Sequence, residues 1–360
     1  IKNPRLIYCK TGDDVLEENL QIVNHTGAIQ AVCHKLIDPE QGVLKNLTEI
    51  AVVGHRVVHG GEKFTEAVVI TDEVKEGIRK CAALAPLHNP PNLDGIEACE
   101  KFFPGVPGVA IFDTAFHQSM ASEAYMYALP RKLYQKFAIR KYGFHGTSHK
   151  YVYQTACDFL ELDPEKARII TCHLGNGSSI AAIDGGRVVD TSMGMTPLMG
   201  LVMGTRCGAI DPGVVLHLVK NGYTGDEVDV ILNKKSGLQG VSGVSSDMRD
   251  IEAARLAGNT DAQEAFDLFI HRLLIYIGGY YLLLNGADAI VFTGGIGENS
   301  VSTRREILNR LSAYGCERDS EAWKRCGKNC LLTTPDSKLK AVVIPTNEEL
   351  MIARESIELV

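Results

Sequence analysis

Four apolar runs constrain the fold of this chain more than any other feature. EIAVVGHRVV (49–58), VPGVAIF (106–112), RIITCHL (168–174) and AIVF (289–292) are short, Val- and Ile-rich and nearly free of charge. Such runs read as strands buried on both faces, the kind found inside sheets that helices cover. Each ends in a segment that carries glycine, chemically able side chains or both: HGG after Arg56, DTAFHQ from Asp113, GNGSS from Gly175 and TGGIGENS from Thr293. Ligands of open α/β sheets collect at the carboxyl edge of the strands. Glycine lets backbone N–H groups approach an anion there, and arginine and histidine neutralise it. The first three of these ends, together with YGFHGTSH (142–149), point to a site that handles phosphate.

The stretches between these strands alternate helix and hairpin. Helices are expected at 72–83, through IEACEKFF (96–103), through HKYVYQTACDFLEL (149–162), at 226–233, 263–284 and 302–313, and through the closing NEELMIARESIEL (347–359). The first fifty residues read as strand RLIYCK, turn TGDD (11–14) and a helix around 29–36, while prolines in APLHNPPN (85–92) predict irregular backbone. RIITCHLGNGSSIAAIDGGRVVDTSMG (168–194) reads as three strands joined by GNG and DGG turns. Hairpins alternating with helices twice over predict a duplicated α/β architecture. With 360 residues and 45% hydrophobic content the chain exceeds one core, so two domains with a cleft between them are expected. The break is placed at 117/118, with the C-terminal helix 345–360 completing the first domain and 118–344 forming the second.

A net charge of −7 without any Lys/Arg-rich run argues against nucleic acid or an anionic membrane as partner. The ten cysteines lack CxxC spacing and several sit in apolar segments, which suggests reduced thiols, a cytosolic setting and a soluble chain. No signal peptide, and no charge-free apolar stretch of about 18 residues, is visible.

HLGNGSS and TGGIGENS fit neither the P-loop nor a well-formed dinucleotide fingerprint, and either alone also reads as a hairpin turn. Their joint presence favours a nucleotide cleft. Arg56 and Arg206 sit where strand or loop meets glycine; each could be a solvated surface arginine, but the guanidinium fork also matches a carboxylate or phosphoryl group. His145 and His149 have the i, i+4 spacing of zinc ligands without the glutamate of H-E-x-x-H, which argues against zinc. His149 is read as capping or packing its helix. Asp113 is either a turn cap or an acid that orients a magnesium shell or the Arg/His cluster. Glu348 reads as a first-turn glutamate complementing a helix dipole.

HRVVHGG, FDTAFHQ, YGFHGTSH (142–149) and CHLGNGSS (172–179) resemble the signatures of the acetate kinase family nearly residue for residue. The resemblance continues through MGTRCGAIDPG (203–213), KKSGLQGVSG with SSDMRD (234–250), FTGGIGENS (292–300) and IPTNEELMIARE (344–355), and so covers almost the whole chain. It implies the duplicated actin-like, ribonuclease H-like ATPase fold and reversible transfer of the ATP γ-phosphoryl group to acetate, giving acetyl phosphate and ADP. By the same resemblance the ATP site is lined by the loop His173, Leu174, Gly175, Asn176, Gly177, by Asp247, Met248 and Arg249, and by the loop Gly295, Ile296, Gly297, Glu298 and Asn299. Arg56 would hold the acyl carboxylate, Arg206 the moving phosphoryl group and His145 its oxygens. His88 and His173 match secondary active-site histidines. Val58, Leu87, Phe144 and Pro197 match the small pocket around the acetyl methyl, and Glu348 matches a ligand of Mg²⁺, for which Mn²⁺ is an alternative. The family also implies a homodimer. Its N-x-G-S-S-S loop, which supplies an asparagine at the magnesium site, has no counterpart before Arg56, so the likeness begins some way inside the family's usual amino terminus. A propionate or butyrate kinase of the same family, and an actin-like module that binds nucleotide without turnover, are the alternative readings.

Overall fold

The computed structural model describes residues 4–10, 15–22, 25–325 and 327–360; the expected turn at 11–14 lies outside them. The chain forms two compact units, Ile1–Phe112 with Ile352–Val360, and Asp113–Met351. The last helix, Glu348–Ile357, passes from one unit into the other.

In the first unit an antiparallel pair, β1 (Arg5–Tyr8) and β2 (Leu16–Asn19), precedes a three-stranded sheet. β3 (Val53–Val57) runs parallel to β5 (Gly108–Phe112), and β4 (Val68–Val69) is antiparallel to β5 on its other side. Two of the four apolar runs are therefore neighbours, paired from Val53↔Gly108 to Val57↔Phe112. The helix Asp72–Lys80 starts at Thr71, whose hydroxyl accepts from Val74 N at 3.3 Å, and it buries Ile78. Where the sequence predicts irregular backbone at 85–92, the chain is helical from Asn89 to Phe102. Pro90 and Pro91 occupy the first turn, where the missing N–H groups have no helical partner to lose. Phe64 stacks on Phe112 at 4.6 Å, and a Cβ on Gly60 would press that ring at 2.9 Å.

The second unit is built on a six-stranded mixed sheet. Its strands are β6 (Arg168–Leu174), β7 (Ser178–Asp184), β8 (Arg187–Thr191), β9 (Ala289–Thr293), β10 (Cys330–Leu331) and β11 (Lys340–Val343), in the order β10-β11-β9-β6-β7-β8. β6, β9 and β11 are parallel neighbours at its centre, and β6–β7–β8 is the antiparallel meander expected from the GNG and DGG turns. Val152, Tyr153 and Ala156 of helix Gly146–Leu160 pack with Ile169, Ala181 and Val291 in one core. Phe266, Phe269 and Leu273 of helix Thr260–Leu283 pack with Ile170, Ile180 and Phe292 in the other. That long helix has the length and apolar composition to cross a membrane, yet its buried side chains belong to this core.

Among the helices that the sequence reading did not place are Pro212–Lys220, Gly237–Ser242, Met248–Leu256 and Gly294–Asn299. The last corrects the expected loop at 295–299. Gly294 takes φ +74°, and a Cβ there would meet the Leu174 carbonyl oxygen at 2.8 Å, so only glycine lets the chain leave β9 against β6 and wind at once into a helix.

Candidate active site

The antiparallel register of β6 and β7 sets His173 opposite Ser179 and Thr171 opposite Ala181, so these four side chains share one face of the sheet. The helix Gly146–Leu160 lies over that face. His145 precedes it in a left-handed conformation, φ 58° and ψ 25°, uncommon for a residue with a Cβ and a local cost of about 1–3 kcal/mol. The constraint is visible next door. Gly146 N–H donates to the Asp113 carbonyl at 2.9 Å, and that oxygen fills the place a Cβ on Gly146 would need.

Histidines gather under this helix. His145 Nδ1 lies 2.9 Å from Ser179 Oγ, and its ring stacks on His173 at 4.3 Å. His149, one turn on, is fully buried rather than a simple cap: Nδ1 meets Thr171 Oγ1 at 2.7 Å and Nε2 meets the same Ser179 Oγ at 2.8 Å. His173 Nδ1 meets Ser148 Oγ at 2.8 Å, and Ser148 meets Thr346 Oγ1, also at 2.8 Å. His117 Nε2 bonds the Phe144 carbonyl at 2.9 Å. Burial holds His117 down to about 4, and burial, with His117 and His173 adding to it, takes His149 well below the ordinary histidine range. Both rings are neutral at pH 7.

Arg206 enters from the loop after β8. Its Nη1 reaches the Pro197 carbonyl at 3.4 Å and the Met203 sulfur at 3.8 Å, and burial lowers its pKa. A Cβ on Gly177 would lie 3.5 Å from Arg206 Nη1 and 3.6 Å from His145 Nε2. The guanidinium and the imidazole thus face one space above the glycine of GNGSS.

Beside it opens a pocket of about 520 Å³. Gly175, Asn176, Asp247, Met248, Arg249, Gly295, Ile296 and Asn299 all line it, together with Ser246, Glu252 and Ser300, which the sequence did not single out. The structure brings these distant segments together within the second unit. Asp247 caps the helix Met248–Leu256 and is clamped by Arg249 through Nε at 3.0 Å and Nη2 at 2.6 Å; that arginine pulls the carboxyl down to about 2. Three other expected residues, absent from that lining, have packing or bonds of their own. Leu174 is fully buried in the core beneath β6. The Gly297 carbonyl accepts from the buried Arg304 at 2.9 Å. The Glu298 carboxylate accepts from Gly294 N at 2.9 Å and Thr346 N at 3.3 Å.

Asp113, 1% exposed, directly follows β5. Glu348 is the first residue of the closing helix. Among the described residues no three His, Cys, Asp or Glu side chains gather into a metal cage.

In the first unit Arg56 lies exposed on β3, while Val58 and His59 beyond its end are buried. Val58 N donates to Asn92 Oδ1 at 3.1 Å, and His59 is held through backbone bonds with Asn89, 3.2 Å on N and 2.9 Å on O. Burial brings His59 down to about 4. His88 is exposed at the start of its helix, and Leu87 beside it is 74% exposed. The other two apolar positions, Phe144 (buried) and Pro197 (half-buried), belong to the second unit. Ser148, Thr171, Ser179 and Thr346 are further site residues that sequence reasoning missed. Ser148 and Ser179 lie inside quoted motifs, GTSH and GNGSS, but their spacing carried no signal.

A mixed α/β sheet with an imidazole and a half-buried guanidinium facing one glycine, beside a pocket walled by glycine-rich segments, is the arrangement of a phosphotransferase. The sequence model of the Acetokinase family matches residues 1–354. An acetate kinase of Desulfitobacterium hafniense is 55% identical over 94% of this chain and 86% of its own length, and one of Methanosarcina acetivorans is 54% identical over 100% and 88%. Among solved structures, the acetate kinase of Porphyromonas gingivalis superposes with a TM-score of 0.94 at 44% identity, and a propionate kinase of Francisella tularensis with 0.91 at 41%, each covering 100% of this chain and 90% of its own. The chain belongs to the acetokinase family, and its mixed-sheet α/β architecture is the actin-like fold of the solved acetate kinases.

Proposed function

We propose that this enzyme transfers the γ-phosphoryl group of ATP reversibly to acetate, giving acetyl phosphate and ADP. The observation that carries the reading is the pairing of Arg206 Nη1 and His145 Nε2 across Gly177, at the edge of the glycine-walled pocket. Phosphoryl transfer needs in-line positioning and charge compensation more than covalent help, and these groups supply both. The pocket takes the nucleotide. Arg206 compensates charge on the moving phosphoryl group, His145 donates to its oxygens, and Arg56 clamps the acyl carboxylate with a bidentate fork. His88 and His173 serve as secondary groups, and Val58, Leu87, Phe144 and Pro197 are the candidates for contact with the acyl chain.

The acceptor acid is already ionised at neutral pH, so it needs no general base. Asp113 therefore orients its neighbours rather than abstracting a proton. Glu348 would hold Mg²⁺, or Mn²⁺ with the same oxygen ligands, and the ion would neutralise phosphate charge. Propionate is the second acceptor, favoured by the likeness to a solved propionate kinase and by the small discrimination, about 1–3 kcal/mol, that one methylene allows. A cytosolic homodimer completes the reading. The free thiols, five of them buried, support the first part. Exposed Ile275, Leu282 and Leu283 on the long helix support the second.

The test is acyl phosphate trapped as hydroxamate, with Mg-ATP and acetate, propionate or butyrate, on the wild type and Arg206→Ala. Acetate turnover that falls at least a hundredfold in Arg206→Ala is the expected result. A wild type that binds ATP yet forms no acyl phosphate from any of the acids would overturn the reading in favour of a nucleotide-binding module.

A further inference from the structure

Three side chains under the helix Gly146–Leu160 have no part in the mechanism so far: Thr171, His149 and Ser179. All are fully buried. They form one line of hydrogen bonds, Thr171 Oγ1 to His149 Nδ1 at 2.7 Å, His149 Nε2 to Ser179 Oγ at 2.8 Å, and Ser179 Oγ to His145 Nδ1 at 2.9 Å.

Counting protons fixes the direction of this line. His149 is the partner the structure gives the Thr171 hydroxyl. If that hydroxyl accepted, its own proton would be stranded in the core, at a cost of about 1–3 kcal/mol, so Thr171 donates to His149 Nδ1. The His149 ring faces His117 at 5.7 Å and His173 at 6.3 Å, and in this buried surrounding it stays neutral with a single N–H. Its proton is then on Nε2 and goes to Ser179 Oγ. Ser179 in turn spends its one proton on His145 Nδ1, which leaves the His145 proton on Nε2, the nitrogen that faces the space over Gly177 beside Arg206.

We propose that Thr171, His149 and Ser179 form a hydrogen-bond relay of fixed polarity that holds His145 as an Nε2–H donor toward the transferring phosphoryl group. The catalytic half of this statement rests on the phosphotransferase reading; the tautomeric half does not. The three are positioning residues, acting through His145 as outer hydrogen-bond partners orient a histidine at a metal site. The opposite polarity would turn a lone pair of neutral His145 toward an anion.

Thr171→Val and Thr171→Ser separate the relay from packing. Valine keeps the shape of threonine and suits a buried strand but has no proton to give; serine keeps the proton and loses a methyl. The relay predicts that Thr171→Val, which leaves His149 Nδ1 unpaired in the core, melts lower than wild type, loses about tenfold or more in kcat, and keeps both KM values within about twofold. Thr171→Ser melts lower but stays within about threefold of the wild-type kcat. A purely structural role lowers the melting temperature of both variants and leaves kcat within about threefold of wild type in both. Should Thr171→Val fail to fold, Ser179→Ala cuts the line at its other link and must show the same kcat loss.

Nitrogen-15 NMR of histidine-labelled protein reads the tautomer without turnover: His145 protonated on Nε2 in the wild type, and shifted toward Nδ1–H in Thr171→Val. Wild-type His145 protonated on Nδ1, or a Thr171→Val variant with undiminished kcat, overturns the relay. A wild type that makes no acyl phosphate but shows the Nε2–H signature sinks the kinase reading and leaves the relay standing.

Discussion

Gly177→Ala tests whether the space between Arg206 and His145 is where the phosphoryl group moves. The added methyl would lie 3.5 Å from Arg206 Nη1 and 3.6 Å from His145 Nε2, ordinary contact distances that nothing must shift to accommodate. Gly177 is not among the glycines with positive φ, so alanine meets no backbone strain there. Removing a glycine's freedom from the unfolded chain then stabilises the fold by about 0.4–1 kcal/mol. Catalysis has the opposite sign. An oxygen accepting from both nitrogens sits about 2.9 Å from each, and the methyl carbon, at 3.5 and 3.6 Å from the same two nitrogens, crowds that space. The oxygen must move by about 1 Å, a displacement that costs about a hundredfold in rate, or roughly 2.7 kcal/mol. Acetyl phosphate formation and thermal unfolding measured on the same preparation give both signs. A variant that melts no lower than wild type and turns over about a hundredfold more slowly is the expected outcome. Turnover within threefold of wild type would refute the placement, because no accepting oxygen could then share that space with a methyl group.

Two further predictions concern the scaffold. Gly294→Ala forces a Cβ to 2.8 Å from the Leu174 carbonyl oxygen at φ +74°, so it should lower stability by at least about 2 kcal/mol, measured by urea unfolding; a midpoint unchanged from wild type would contradict the close β6–β9 exit. Burial lowers His59 in the first unit and His117 in the second from 6.5 to about 4. The unfolded chain therefore takes up protons below pH 6.5 that the folded chain refuses until about 4, and stability falls across that window as pH drops. Each ring should remove about 2 kcal/mol between pH 7 and pH 5, visible as a falling urea midpoint, and a midpoint that is flat over that range would show the rings to be solvated.

How much of this was legible in the sequence depends on what kind of information each feature needs. The four apolar runs announced β3, β5, β6 and β9, because a strand buried on both faces is a local composition. Ser302 was likewise expected near the start of the helix Val301–Leu311, because an amphipathic period needs no partner to be seen. The helix Gly294–Asn299 was not legible, since glycine spoils helix propensity and the reason for it is the Leu174 backbone, 120 residues earlier, which leaves no room for a Cβ at Gly294. The same logic separates the two halves of the site. Arg206, His145 and the glycine segments could be suspected because their residue types are chemically able wherever they stand. Thr171 and Ser179 could not, since a threonine and a serine in β-strands are ordinary. They become chemistry only when the register of β6 and β7 puts them on one face and a helix with histidines four residues apart is laid across it. In one dimension His145 and His149 looked like a question about zinc. In three dimensions both rings close on a single serine oxygen, and the i, i+4 spacing exists to bring two imidazoles to that one hydroxyl.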